Sequence, residues 1–192
     1  MSRIRDVRAF EVVSVTRTHP AWPTQLAKRL GNAAPATLMA LGNVRLRGHR
    51  KVALFCSART PGDAILRAHN AARRMRDESV TVISGFHSLI EKECLRILLR
   101  GKQPIILCPA RALETMRIPT ECRAAFEAGR ILFVSPFARQ PKRVTKESAL
   151  RRNEIVAALA DEAFIAYITP GGQTEQMAEM LEQWGVQGEI AR

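Results

Sequence analysis

Val52-Ala53-Leu54-Phe55-Cys56, running on through Ser57-Ala58-Arg59 into Thr60-Pro61-Gly62-Asp63, is the stretch that decides the fold. Five successive apolar residues without polar alternation read as a strand buried on both faces, as in a parallel sheet. The residues after it read as the start of a helix, with Thr60 as N-cap, Pro61 at the first helical position and Asp63 as the acid at the third. A strand that turns almost at once into a helix is the opening half of a βαβ unit.

The same alternation recurs along the chain from Lys51 onward. Strands are predicted at 80–83, 104–108, 131–134 and 163–168, and helices at 61–76, 89–99, 120–128, 146–160 and 174–184. Ser88-Leu89-Ile90-Glu91 repeats the capping-box pattern behind the second of these strands. Five strands interleaved with helices predict an α/β protein, a Rossmann-like, doubly wound, mainly parallel sheet with helices on both faces. Proline and small residues break up the first part of the chain, so residues 1–50 are expected to form a small helical lead-in on the sheet edge. Residues 51–192 are expected to form the Rossmann-like domain.

A chain of 192 residues is long enough for a sizeable core. No apolar run approaches the roughly 20 residues that span a bilayer, and Met1-Ser2-Arg3-Ile4-Arg5-Asp6 is charged where a secretory signal would be apolar. The expectation is a cytoplasmic protein with no membrane association. Cys56, Cys94, Cys108 and Cys122 lack metal-ligand spacing and read as reduced core residues, and neither metal nor cofactor is expected. The net charge is +12 and the isoelectric point near 10.7, which favours phosphate-rich partners. Arg and Lys outnumber acids nine to two in residues 1–50 and 20 to 10 in 51–160, but fall to one against six in 161–192. The positive field therefore belongs to the earlier four-fifths of the chain.

Open α/β sheets bind ligands beyond the carboxyl ends of their strands. Five segments should converge there: Ser57-Ala58-Arg59, Ser84-Gly85-Phe86-His87-Ser88, Pro109-Ala110-Arg111, the basic loop 139–146, and Thr169-Pro170-Gly171-Gly172-Gln173-Thr174. Gly85, Gly171 and Gly172 permit close backbone approach; Ser57, Ser84 and Thr174 offer hydroxyls; Arg59, Arg111, Lys142, Arg143 and Lys146 offer charge. His87 sits beside any such ligand. Each has a plainer reading as well: Thr60, Ser88 and Glu91 as helix caps, Gly171-Gly172 as a tight turn, the basic loop as a solvated charge run, His87 as structural. Neither a G-x-G-x-x-G nor a Walker lysine is present, and no Ser/His/Asp triad can be assigned. Phe86, Phe137 and Tyr167 are the aromatic residues placed for base stacking.

In this order the segments resemble the DNA-processing protein A family (DprA, also called Smf), within the superfamily that also holds the LOG nucleotide phosphoribohydrolases. Trp22-Pro23-Thr24-Gln25-Leu26 and Pro35-Ala36-Thr37-Leu38 before Gly42 resemble its lead-in, and Val52 to Arg59 its strand ending in Gly-Ser-Arg. Ser84 to Glu91 is similar to S-G-x-A-x-G-I-D, and Arg152-Asn153-Glu154-Ile155-Val156-Ala157-Ala158-Leu159 to R-N-R-I-I-A-G-L. The resemblance implies a dimeric Rossmann-like protein that binds single-stranded DNA in a basic pocket and helps load the RecA recombinase. Carried over onto this chain are Ser57, Arg59, Ser84, Gly85, Arg152 and Asn153, with Lys142, Arg143 and Lys146 as neighbouring charge. Cys56, Ser88, Leu89 and Glu154 stand where the family pattern has Gly, Arg, Gly and Arg.

A second resemblance, to the LOG pattern of an Arg-bearing helix and a P-G-G-x-G-T-x-x-E loop, implies a small nucleotide as ligand and glycosidic-bond hydrolysis as reaction. Arg152 with Glu175 or Glu179 would then be catalytic, although the glycine before Thr174 is missing.

Overall fold

The computed structural model describes residues 11–57, 60–114, 116–139 and 143–191. Its elements are, in chain order, β1 (Val13–Thr16), α1 (Thr24–Leu30), β2 (Thr37–Gly42), β3 (Lys51–Phe55), α2 (Gly62–Asp77), β4 (Thr81–Ser84), α3 (Leu89–Leu99), β5 (Ile105–Leu107), α4 (Arg123–Glu127), β6 (Ile131–Ser135), α5 (Lys146–Leu159), β7 (Glu162–Ile165), α6 (Gln173–Gln183) and β8 (Gln187–Ile190). Among the described residues eight strands form one sheet, in the order β1-β2-β6-β5-β4-β3-β7-β8. From β6 to β8 every pairing is parallel; β1 and β2 join antiparallel beside β6.

Side chains along each central strand point alternately to two apolar layers. Ala53, Ile83, Ile106, Leu132 and Ile165 face α1, α5 and α6; Leu54, Val82, Ile105, Phe133 and Phe164 face α2, α3 and α4. Both faces are covered, which is why these strands read as unbroken apolar runs. Helix α2 contributes Ala64, Ala68, Ala71 and Ala72 to its buried side, the spacing of one helical stripe. The cysteines are all free and buried, as expected. Burial raises the Cys108 thiol to about 12 and the Cys122 thiol to about 11.

Three expectations need correction. Residues 1–50 are not simply helical: the described part carries β1 and β2 as well as α1. Leu38-Met39-Ala40-Leu41 is buried throughout because it lies between β1 and β6 with layers on both faces. Thr60 is not the cap of α2. Pro61 holds the N-cap position, and the Thr60 hydroxyl donates instead to the Ser57 carbonyl at 2.6 Å, closing the loop. Strand β8, polar and largely exposed, was absent from the predicted strands because an edge strand with no apolar face leaves no periodic signal. Ser88 and Glu91 do form a reciprocal capping box on α3.

Candidate nucleic-acid interface

Strand order reverses between β3 and β7, since the chain runs outward from β3 to β6 and then returns over α5 to β7. Two adjoining cavities lie along the carboxyl edge. One, of about 360 Å³, opens at the reversal point between Phe55, Cys56 and Ser57 on one side and Thr169 to Thr174 on the other, with Asn153 on its wall. The second, of about 430 Å³, lies over the ends of β4, β5 and β6 and is lined by Gly85, His87, Lys92, Arg111, Arg143 and Arg152, over a floor that includes Leu107 and Phe133.

The loops of the first cavity are held by their own hydrogen bonds. The hydroxyls of Ser57 and Thr169 lie 2.6 Å apart, and the Thr169 N–H donates to the Thr174 hydroxyl at 3.1 Å. Gly172 N–H donates to the Thr169 carbonyl at 2.9 Å, with Pro170 and Gly171 (φ 67°) in the corners. This is the pattern of a type II turn, which needs glycine at its third position. Gly171-Gly172 is therefore the tight turn of its plainer reading. The Glu175 carboxylate accepts from the Gly171 N–H at 2.7 Å, and Glu179 is exposed on α6; neither lines the cavity. Asn153 accepts from Arg152 Nε at 2.7 Å and donates to Gln173 at 3.3 Å, tying α5 to α6.

Between the cavities sits a buried charge node. Glu91, 7% exposed, accepts the Cys56 N–H at 3.2 Å, the His87 N–H at 2.8 Å and the Ser88 N–H at 3.2 Å. The backbone donors at the head of α3 are thus already taken by a carboxylate of the chain itself. Arg152 is 4% exposed and donates from Nη1 to the Cys108 carbonyl at 3.3 Å. Burial pushes the pKa of its guanidinium down, while the nearby charge of Glu91 and then Cys108 hold it up. Gly85 lies directly beneath that guanidinium: a Cβ there would collide with Arg152 Nη1 and Cζ. Sequence reasoning gave Gly85 the task of admitting a ligand; its neighbour is Arg152. Ser84, wholly buried, accepts from the Phe86 N–H at 3.3 Å and supports Phe86 at φ 46°, a backbone region unusual for a bulky residue. Phe86 is itself only 5% exposed, which withdraws it as an open stacking platform.

Arg111, Arg143 and Lys146 are exposed, the first two on the wall of the second cavity and Lys146 at the start of α5. Ser135 anchors the loop of Arg111 by donating to its carbonyl at 2.8 Å. Arg59 and Lys142 lie outside the described residues. Lys92, missed at the level of sequence, stands one residue beyond the capping Glu91 and lines the second cavity; its place on the first turn of a strand-end helix was the available signal.

His87 is exposed on the cavity rim, and its pKa is lowered by partial burial first and then by Arg152 and Lys92, with Glu91 acting in the opposite direction. The folded protein therefore holds it neutral at pH 7. Its contribution to stability is present above the unfolded midpoint and is lost as pH falls through the folded one. A ring-proton NMR titration should place its midpoint below the ordinary 6.5. A bound polyanion should move that midpoint upward, and a midpoint at or above the ordinary value in the free protein would contradict the local field described.

Residues 13–178 match the sequence profile of a family described as DNA recombination-mediator protein A. The chain belongs to that family. Two solved structures of such proteins share its fold. The DNA processing protein A (DprA) of Streptococcus pneumoniae is 19% identical with a TM-score of 0.74, the match covering 94% of this chain and 62% of that one. The protein from Helicobacter pylori, whose structure is described as showing a single-stranded DNA binding mode, is 18% identical with a TM-score of 0.73, covering 94% of this chain and 80% of that one. The chain thus spans less than two thirds of the streptococcal DprA. No curated protein matches it. At these identities the DprA structures establish the fold, and the family profile establishes membership.

Proposed function

We propose that this DprA-family chain binds single-stranded DNA along the carboxyl edge of its sheet and acts in the cytoplasm in DNA processing or recombination. The observation that carries the reading is the cation cluster of Lys92, Arg111 and Arg143 around the 430 Å³ cavity, with buried Arg152 behind it. Mobile surface arginines alone make poor sites; here a fixed guanidinium sits under exposed ones over an apolar floor, which suits a strand with its phosphates outward and its bases inward. Family membership and the DNA-binding description of the H. pylori protein support the same reading. Homodimer formation and loading of a RecA-type recombinase belong to this proposal through the family.

Titration of a labelled poly(dT) strand at several salt concentrations tests it. Binding should weaken with a log–log slope of about −0.7 per phosphate contacted, and Arg111→Glu with Arg143→Glu should flatten the slope by about 1.4 and weaken binding tenfold or more. No binding at low salt, or an unchanged slope in the double variant, would reject the reading.

A further inference from the structure

The opposite edge of the sheet carries a second cationic cleft that none of the strand-end chemistry uses. It is about 670 Å³ in volume and lies at the amino ends of β3 and β7, lined by Trp22, Gln25, Arg47, His49, Arg50 and Lys51 with Asp161 at its base. The sequence concentrates charge there: Arg45, Arg47, His49, Arg50 and Lys51 fall within one turn-and-strand segment. That segment is rigidly placed. Asn43 accepts from the Arg45 N–H at 3.2 Å and caps a short 3₁₀ turn, Val44–Gly48, while Leu46 is buried at 5%.

Lys51 distinguishes this cleft from a solvated charge run. Its side chain is only 6% exposed, yet among the described residues its ammonium has one partner, Asp161 Oδ2 at 3.3 Å. An ammonium has three donors, and a buried one left partly unsatisfied is costly unless something polar meets it. Arg50 is 79% exposed and uses one nitrogen on Glu162, leaving further donors of its guanidinium free to reach an anion. Trp22, half-buried and packed against the core, lines the same cleft and brings an indole to it.

We infer that this amino-edge cleft is a second nucleic-acid contact, in which Arg47, Arg50 and Lys51 hold a phosphodiester and Trp22 meets a base. The inference rests on the proposed DNA-binding function. Cations and an indole lining one open polar cleft suit a single strand, in which every nucleotide offers both a phosphate and a base, better than an acidic peptide, whose carboxylates come without a recurring aromatic face. The two edges are separated by the five residues of β3, about 17 Å, so one flexible strand can engage both.

Binding of two poly(dT) lengths to the full chain tests the inference: about 8 nucleotides, the scale of one single-strand site, and about 40, enough to reach both edges. Arg47→Glu with Arg50→Glu should weaken binding of the long strand about tenfold and leave the short one within about twofold, whereas Arg111→Glu with Arg143→Glu should weaken both. If the glutamate variant fails to fold, Arg47→Gln with Arg50→Gln should show the same length dependence with a smaller loss. An unchanged long-strand affinity, or equal loss for both lengths, overturns the second contact while leaving the first intact. Loss only in the amino-edge variant, with the strand-end variant unaffected, would overturn the proposed strand-end function and keep this cleft. Protection of the cleft by polyglutamate and not by poly(dT) would assign it to an acidic protein and overturn the inference.

Discussion

Glu91→Ala is expected to destabilise the protein by about 3–5 kcal/mol, because three buried or half-buried backbone donors lose a charged acceptor together. The N–H groups of Cys56, His87 and Ser88 all converge on this one carboxylate, which is only 7% exposed. The loss has a second component. Glu91 is the largest influence that keeps the buried Arg152 guanidinium charged against its desolvation, so alanine leaves that charge without its main compensation. Glu91→Gln retains an acceptor and removes the charge, and should fall between alanine and the parent. Urea denaturation followed by circular dichroism measures the series; a loss under about 1 kcal/mol for alanine would show that the node is not what holds these loops.

Gly85→Ala is expected to abolish most DNA binding while leaving the protein folded. Added at Gly85, a methyl group occupies the space of Arg152 Nη1 and Cζ and lies 2.7 Å from Nε. An exposed arginine would swing aside at little cost. Arg152 is buried, bonded to the Cys108 carbonyl and to Asn153, so its displacement breaks both contacts. The destabilisation should be about 1–3 kcal/mol, as for overpacking of a filled interior. Because the clash is with one side chain, Gly85→Ala should be nearly neutral for stability in an Arg152→Ala background. Strict additivity of the two changes would mean that Gly85 serves something other than the seat of Arg152.

These two residues show where reading the sequence succeeded and where it stopped. The central strands were legible because burial on both faces leaves their middles as unbroken apolar runs, and α3 was legible because Ser88 and Glu91 cap it through local contacts. β2 was not, since Leu38 to Leu41 becomes a strand only through pairing with β6, far along the chain. The same limit applies at the site. Ser84, Gly85, His87, Arg111 and Arg143 were named from position after strands and Arg152 from the family resemblance, and the fold brings Gly85, His87, Arg111, Arg143 and Arg152 around one cavity. What position could not give was that Gly85 makes room for an arginine and that the capping Glu91 also takes the N–H of Cys56, both of which depend on a neighbour distant in sequence. The turn at Gly171, closed within four residues, was legible as the plainer reading of its two glycines.

The antiparallel addition of β2 also sets a schedule for folding. Met39 pairs with Ser135, about half the chain later. A two-stranded hairpin is marginal by itself in water, so β1 and β2 have no stable place until β6 has been made. At synthesis rates of 5–20 residues per second that wait is about 5–20 s, during which Leu38-Met39-Ala40-Leu41 is without its sheet partner. Leu38 to Leu41 is thus made well before the strand that seats it, and in the living cell it is an apolar stretch in need of protection while the ribosome is still at work.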